Sequence, residues 1–389
     1  MKNSVILPAA LQLCVDDIGW FRGSDDRYAG KPSRTGMPRT HVAEDYIILN
    51  EIGKAINQKI VAPFVIGEWD KDNILRGEIG ATYEPETWDR RKIINMELAE
   101  KCFEASESSE YIENCFHGLL HGNYDEKGGQ ITELEYFYYK NPGDKELSTL
   151  PKDDIERRFE LYFKIYDSWG FKKPIRSFSS PTNVPRNLKT EDIIPLAEVL
   201  EKYGMTYWLN RWKGQICHSE FIGNTFYLEK HKKFGIPWNA YDYDPEYLFD
   251  FYEEKDGEFG DVMSTHWPNF LRFNYQKNME CLEPWVKWFK KQAEIFGVML
   301  SRDIAFCSNQ HIYRTHSKLS FDDNILTIDV SDADNFSKMK LVNEFYISIK
   351  SDLVPFDVQG GTIELYETHK DFNNYKITRS SNIITITLN

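Results

Sequence analysis

The sequence predicts an α/β protein, a (β/α) barrel followed by a small all-β domain. Three observations carry that expectation. Short apolar runs alternate with helical patterns through the first three hundred residues. Titratable clusters stand directly after several of those runs. From about His311 the texture changes to β-branched alternation. At 389 residues the chain is long for one average domain. The expected division is a barrel over 1–305 and a β-rich domain over 306–389.

The first strand candidate is LQLCV (11–15). Its apolar run passes straight into acidic residues with no cleavage site or spacer, so it reads as a barrel strand and not a secretory signal. The helical pattern VAEDYIILNEIGKAINQ follows, then the strand IVAPFVI (60–66) and the helix WDRRKIINMELAEKCFEAS. YIENCF (111–116), the helix DDIERRFELYFKIYDSW and PIRSF (174–178) continue the alternation. TEDIIPLAEVLEKYG takes Thr190 as its N-cap and stops at Gly204. MTYWL (205–209) and DVMST (261–265) complete six strand candidates, and the amphipathic EPWVKWFKKQAEIFG ends at Gly297. Six or seven strand–helix units fit a somewhat irregular barrel. Beyond them ILTIDV, EFYISIK, GTIELYE, YKITR and NIITITLN are punctuated by turn-forming residues at hairpin intervals.

Composition excludes several functions. Hydrophobic residues at 41% and aromatics at 15% describe a globular chain. A net charge of −14 argues against nucleic acid as a general partner. No stretch approaches the roughly 18 apolar residues of a membrane span. Six scattered cysteines without a CxxC pair suit neither a zinc knuckle nor a disulfide framework. A reducing, cytoplasmic setting is expected, with export after processing as the alternative. Ten Trp and 22 Tyr could serve as sugar-binding platforms, but ordinary packing accounts for them as well.

Three strings carry chemistry. In CVDDIGW a strand ends on two consecutive carboxylates, Asp16 and Asp17. Neighbouring strand residues face opposite ways, so both can serve one site only where the strand ends. Alone, the pair reads as two solvated loop acids. In FHGLLHGNYDE, His117 and His121 stand four apart, as on one face of a helical turn. In DVMSTHW, His266 closes a further strand; a buried structural histidine is the bland alternative. Together, a carboxylate and two imidazoles make a three-ligand site open to water and substrate. A second carboxylate is available as base and a histidine as acid for a leaving amine. This is equipment for amide hydrolysis.

In order and spacing, CVDD (14–17), HGLLH (117–121) and STH (264–266) resemble the motifs of the polysaccharide deacetylases, the NodB-homology or carbohydrate esterase 4 group. IRSFSSP (175–181) is similar to the third motif. The resemblance spans about residues 10–300 and implies a distorted (β/α) barrel of the NodB type. It further implies Asp16 as general base, Asp17, His117 and His121 as ligands of one divalent ion, and His266 as general acid. Arg176 takes the part of the arginine that orients the base. Zinc is the usual ion, with cobalt or another divalent ion accepted. Cys14, Gly118 and the RSFSSP segment depart from the family pattern, which implies a divergent member. For the acid that tunes the catalytic histidine, Asp242 and Asp244 in NAYDYDP are candidates.

The implied substrate is an N-acetylated amino sugar or glycan. A basic stretch with Arg34 and Arg39 suggests an anionic group on it, local ion pairs being the alternative. Trp69 beside Glu68, Trp212 beside Trp208 and Arg211, and Trp267 are candidate cleft walls. Glu133 and Glu135 are candidate supports for the histidines, or else exposed acids. A metal-dependent hydrolase of another amide or ester would use the same groups. A non-catalytic carbohydrate-binding or assembly protein on a decayed barrel is the reading from another class. The β-rich tail suits a glycan-binding module or a homo-oligomer interface.

Overall fold

In the computed structural model, residues 4–20, 39–140, 147–181, 190–210, 219–231, 236, 240–250 and 261–389 are described. Seven strands form a ring in chain order: β1 (Ala9–Asp16), β2 (Ile60–Val65), β3 (Ile112–Gly118), β4 (Ser177–Phe178), β5 (Tyr207–Asn210), β6 (Thr225–His231) and β7 (Val262–His266). Each pairs with the next, and β7 closes back on β1. The registers from β1 through β7 are parallel, from Cys14↔Val61 between β1 and β2 to Lys230↔Val262 between β6 and β7. The (β/α) barrel expected from the sequence is therefore present.

Helices α1 (Ala43–Ala55), α2 (Met96–Ser108), α3 (Lys152–Trp169) and α4 (Thr190–Lys202) lie between the strands in the chain, and α5 (Leu282–Ala293) follows β7. Strand alternation explains the packing around β3. Phe116 lies against α3, its ring centroid 4.0 Å from those of Phe159 and Tyr162, while its neighbour His117 takes the opposite face. Losing a phenyl ring from so dense a cluster costs about 3–5 kcal/mol.

The alternation misled at three places. The stretch 88–95 has helical period, yet α2 starts only at Met96, because Asn95 caps it by accepting the Leu98 amide. Strand β6, TFYLEKH, was not expected; its run is interrupted by Glu229 and Lys230, both buried here. The helix Ile304–His316 extends past the point where β texture was expected to begin.

The chain divides into two compact units. One takes Leu13–Phe249 and most of the segment up to Val286; the other takes the opening residues up to Gln12, a short piece from Asp250, and Lys287–Asn389. The second contains two four-stranded sheets. In one, Glu344–Lys350 pairs antiparallel with Phe372–Arg379 and with Val5–Ile6. In the other, Ile383–Leu388 lies between Ile325–Asp329 and Pro355–Gln359. Their inward residues, among them Leu326, Ile328, Ile347, Ile377 and Ile384, are fully buried, as period-2 alternation requires.

Candidate metal centre

The strand that begins the barrel also begins the site. Asp16 is the last residue of β1, and Asp17 leaves the strand at φ 67°. This left-handed backbone costs a non-glycine residue about 1–3 kcal/mol, and here it breaks the strict alternation that would send two successive side chains apart. Ile18 re-enters the sheet: its amide donates to Pro63 O at 3.1 Å and its carbonyl accepts from Val65 N at 2.7 Å. Gly19 follows at φ 107°, where an added Cβ would stand 2.6 Å from Val65 O. The DDIG string is thus a turn whose last position is closed to any side chain.

The two histidines reach the same place by another route. His117 lies within β3, but Gly118 at φ 129° and His121 at φ 52° turn the chain into a tight loop. The helical turn expected from the four-residue spacing does not form, since two left-handed residues cannot belong to a right-handed helix. Glu135, completely buried, holds the loop instead. Its carboxylate accepts the Leu119 amide at 2.7 Å and the Leu120 amide at 3.2 Å. A Cβ on residue 118 would lie 2.6 Å from that carboxylate.

Asp17, His117 and His121 are all buried, and one potential ligand atom from each lies within 4.8 Å of the others. His117 Nε2 is 3.1 Å and His121 Nε2 3.5 Å from Asp17 Oδ1. His117 Nδ1 donates to Ser179 O at 2.6 Å; a carbonyl only accepts, so this nitrogen carries a hydrogen. Nε2 therefore faces the carboxylate with a lone pair or a second proton. A proton on Nε2 or a cation between the two groups satisfies both, and the Ser179 contact is the usual outer support of a histidine ligand. The donor set thus fits a metal ion. Burial works to raise the Asp17 pKa, but the His117 hydrogen bond and the imidazoles of His121, His266 and His117 overcome it and hold the carboxyl far below the usual range.

His266 ends β7 with Nε2 3.9 Å from Asp17 Oδ2 and its side chain 13% exposed. It is the most accessible of these groups. Asp16 turns to a different partner. Lys230 Nζ donates to both Asp16 oxygens at 2.7 Å and to Ser179 Oγ at 2.7 Å. Ser264 Oγ adds a contact to Asp16 at 3.3 Å. Burial raises the Asp16 pKa, yet the Lys230 ammonium, then His117 and His266, bring it below its ordinary value.

Arg176 stands elsewhere. It precedes β4, its guanidinium 3.3 Å from Glu113 near the start of β3, and half its side chain is exposed. In a parallel barrel that is the end away from Asp16, which closes its own strand. Lys230 supplies the cation that the resemblance assigned to Arg176. Sequence reasoning missed it because β6 itself was missed. The signal was a lysine inside an aromatic and aliphatic run, with Tyr227 and Leu228 before it.

The described ones among the expected cleft walls, Trp69, Trp208 and Trp267, are core. Trp69 is fully buried, donating to Gly19 O at 2.7 Å and packed edge-on against Trp169. Trp267 is 1% exposed, donates to Asp45 O and meets His41 edge-on. Trp208 is enclosed between Phe178 and Tyr227, and Glu68 is buried against Tyr83 and Arg90. Arg39 makes a bidentate pair with Asp45, 2.8 Å at each contact, so its charge is already matched. Asp242 and Asp244 accept the backbone amides of Phe273 and Glu246. Arg34, Arg211 and Trp212 lie outside the described residues.

No family model matches the chain, and no curated protein matches it. Among solved structures it is similar to one titled "putative polysaccharide deacetylase from Mycobacterium smegmatis", with 9% identity, 75% of this chain and 86% of that chain covered, and a TM-score of 0.35. It is also similar to the alpha-amylase from H. orenii, with 12% identity, coverage of 75% and 65%, and a TM-score of 0.19. Likenesses this slight carry no function across; the barrel rests on its own strand pairings and the candidate centre on its own donors.

Proposed function

We propose that the protein is a metal-dependent hydrolase that removes an acetyl or similar acyl group from the nitrogen of an amino sugar, and that it is a divergent relative of the polysaccharide deacetylases. One observation carries the reading. Asp17 and two imidazoles converge in a buried cluster beside a second carboxylate and a further histidine. Asp17, His117 and His121 would hold one divalent ion, zinc in the first instance. Bound there, such an ion polarises a carbonyl and lowers the pKa of a water molecule to about 7.

The chain's own groups supply the proton chemistry. Asp16 stays ionised beside Lys230 and, with serine hydroxyls from Ser179 and Ser264 as its other donors, is the carboxylate that would take up a proton. His266, on the Oδ2 side of Asp17, is placed to give a proton to the departing amine. Arg39, paired with Asp45, offers no charge to an anionic substrate, so a neutral N-acetylated sugar is the first substrate class to test. The described cysteines are buried thiols outside any disulfide, in keeping with work in a reducing cytoplasm. Among the described residues no helix is long and apolar enough to cross a membrane.

The test joins metal analysis of the purified protein to an acetate-release screen over N-acetylated monosaccharides, oligosaccharides and sugar nucleotides. We expect one divalent ion per chain and release that stops on chelation. A metal-free protein indifferent to chelators would overturn the reading.

A further inference from the structure

We propose that Lys230 decides which of two adjacent carboxylates serves a bound cation: by pinning Asp16, it leaves Asp17 alone to join the imidazoles. This rests on the metal-centre reading above. Asp16 and Asp17 are consecutive, and both are buried. Ser179 binds both sides of the site, its hydroxyl meeting Lys230 and Asp16 while its carbonyl holds His117. A divalent ion among Asp17, His117 and His121 would therefore lie in the field of Asp16, a second carboxylate whose oxygens, as Lys230 holds them, stand outside the group of ligand atoms within 4.8 Å of one another.

Lys230 opposes capture of the ion by Asp16. An ammonium has three N–H donors, and here two go to the Asp16 oxygens and one to Ser179. The lysine is 4% exposed, so water offers its charge little competition. Moving Asp16 onto the ion would strand a buried ammonium, an expensive arrangement. Pinned, Asp16 stays an ionised carboxylate off the ion, held by Lys230, Ser179 and Ser264. Without the ammonium, the same carboxylate becomes an additional ligand. Lys230 is thus a positioning residue, and it acts through Asp16.

Zinc affinity separates this role from a merely structural one. We would measure it by competition with a chromophoric chelator on the full chain, for wild type, Lys230→Met, Lys230→Arg and the double variant Asp16→Asn/Lys230→Met. Lys230→Met is expected to bind Zn2+ on the order of tenfold tighter, because a like charge close to the ion is removed, while releasing less acetate. Lys230→Arg should stay near wild type, and the double variant should return to it. Unchanged or weaker zinc binding in a folded Lys230→Met protein overturns the proposal, since a lysine that only supports the fold would loosen the site. If Lys230→Met does not fold, Asp16→Asn decides. Its unpaired ammonium should weaken zinc binding, and unchanged or tighter binding overturns the proposal. A wild-type protein that binds no zinc overturns the metal-centre reading and this inference together.

Discussion

Asp16 and Asp17 are sequence neighbours whose charges are held by different partners, Lys230 for one and the imidazoles for the other. Both carboxyls have pKa values below the ordinary value of about 3.9. A group depressed on folding adds stability that is complete above its unfolded pKa and lost as pH falls through the folded one. The gap in urea-unfolding free energy between wild type and Asp16→Asn should therefore hold from neutrality down to about pH 4 and close only below it. A gap already closing at pH 6 would contradict the assigned pairing. His266 makes a separate prediction: His266→Ala should keep its zinc, read by metal analysis, while acetyl release falls roughly 10²–10⁴-fold. At this scale Asp16, Asp17, His117, His121 and His266 were legible because each ends or follows an apolar run. Lys230 was not, because a lone lysine in a strand reads as solvent-facing until a buried carboxylate is found opposite it.

The loop between β3 and Glu135 shows what an element adds to its residues. Four-residue spacing suggested a helical face, but Gly118 and His121 adopt left-handed backbone, and a buried carboxylate binds the amides between them. Gly118→Ala would press a methyl group to 2.6 Å from Glu135. At φ 129°, alanine also meets backbone strain, and we expect a loss of about 1–3 kcal/mol with weaker zinc binding. Glu135→Gln should act through the same loop. An amide side chain offers one acceptor oxygen where two backbone amides need acceptance, and leaving one unsatisfied costs about 1–3 kcal/mol. Chemical denaturation with parallel zinc titration checks both variants. If either loses stability but keeps wild-type zinc affinity, the loop does not position the histidines. This element was illegible because HxxxH spacing is shared by helices and by loops with left-handed residues. Only the bracketing glycines, Gly118 and Gly122, hinted at the second.

The whole molecule joins segments that are far apart in the chain. Strands of the C-terminal sheets were legible from period-2 alternation, which EFYISIK and NIITITLN display plainly. Their partner at the other terminus was not, because strand pairing across the full chain leaves no local pattern. Val5 pairs with Ile349 and Ile6 with Ser348, while Ala10, Met299, Phe306 and Tyr346 form one buried cluster. Gln310 ties the same unit together, donating to Pro8 O at 3.1 Å and accepting the Tyr346 amide at 2.9 Å. Ending the chain at residue 305 would remove Phe306, Gln310, Tyr346 and both partners of Val5–Ile6. The opening segment would then expose apolar residues and unpaired strand backbone, the usual template for aggregation. We therefore expect the 1–305 protein to be less soluble and to unfold at a lower temperature than the full chain, with lost activity following from lost folding. Size-exclusion chromatography and calorimetry read this directly. A monodisperse 1–305 protein with an unchanged melting temperature would show that the opening residues need none of those partners.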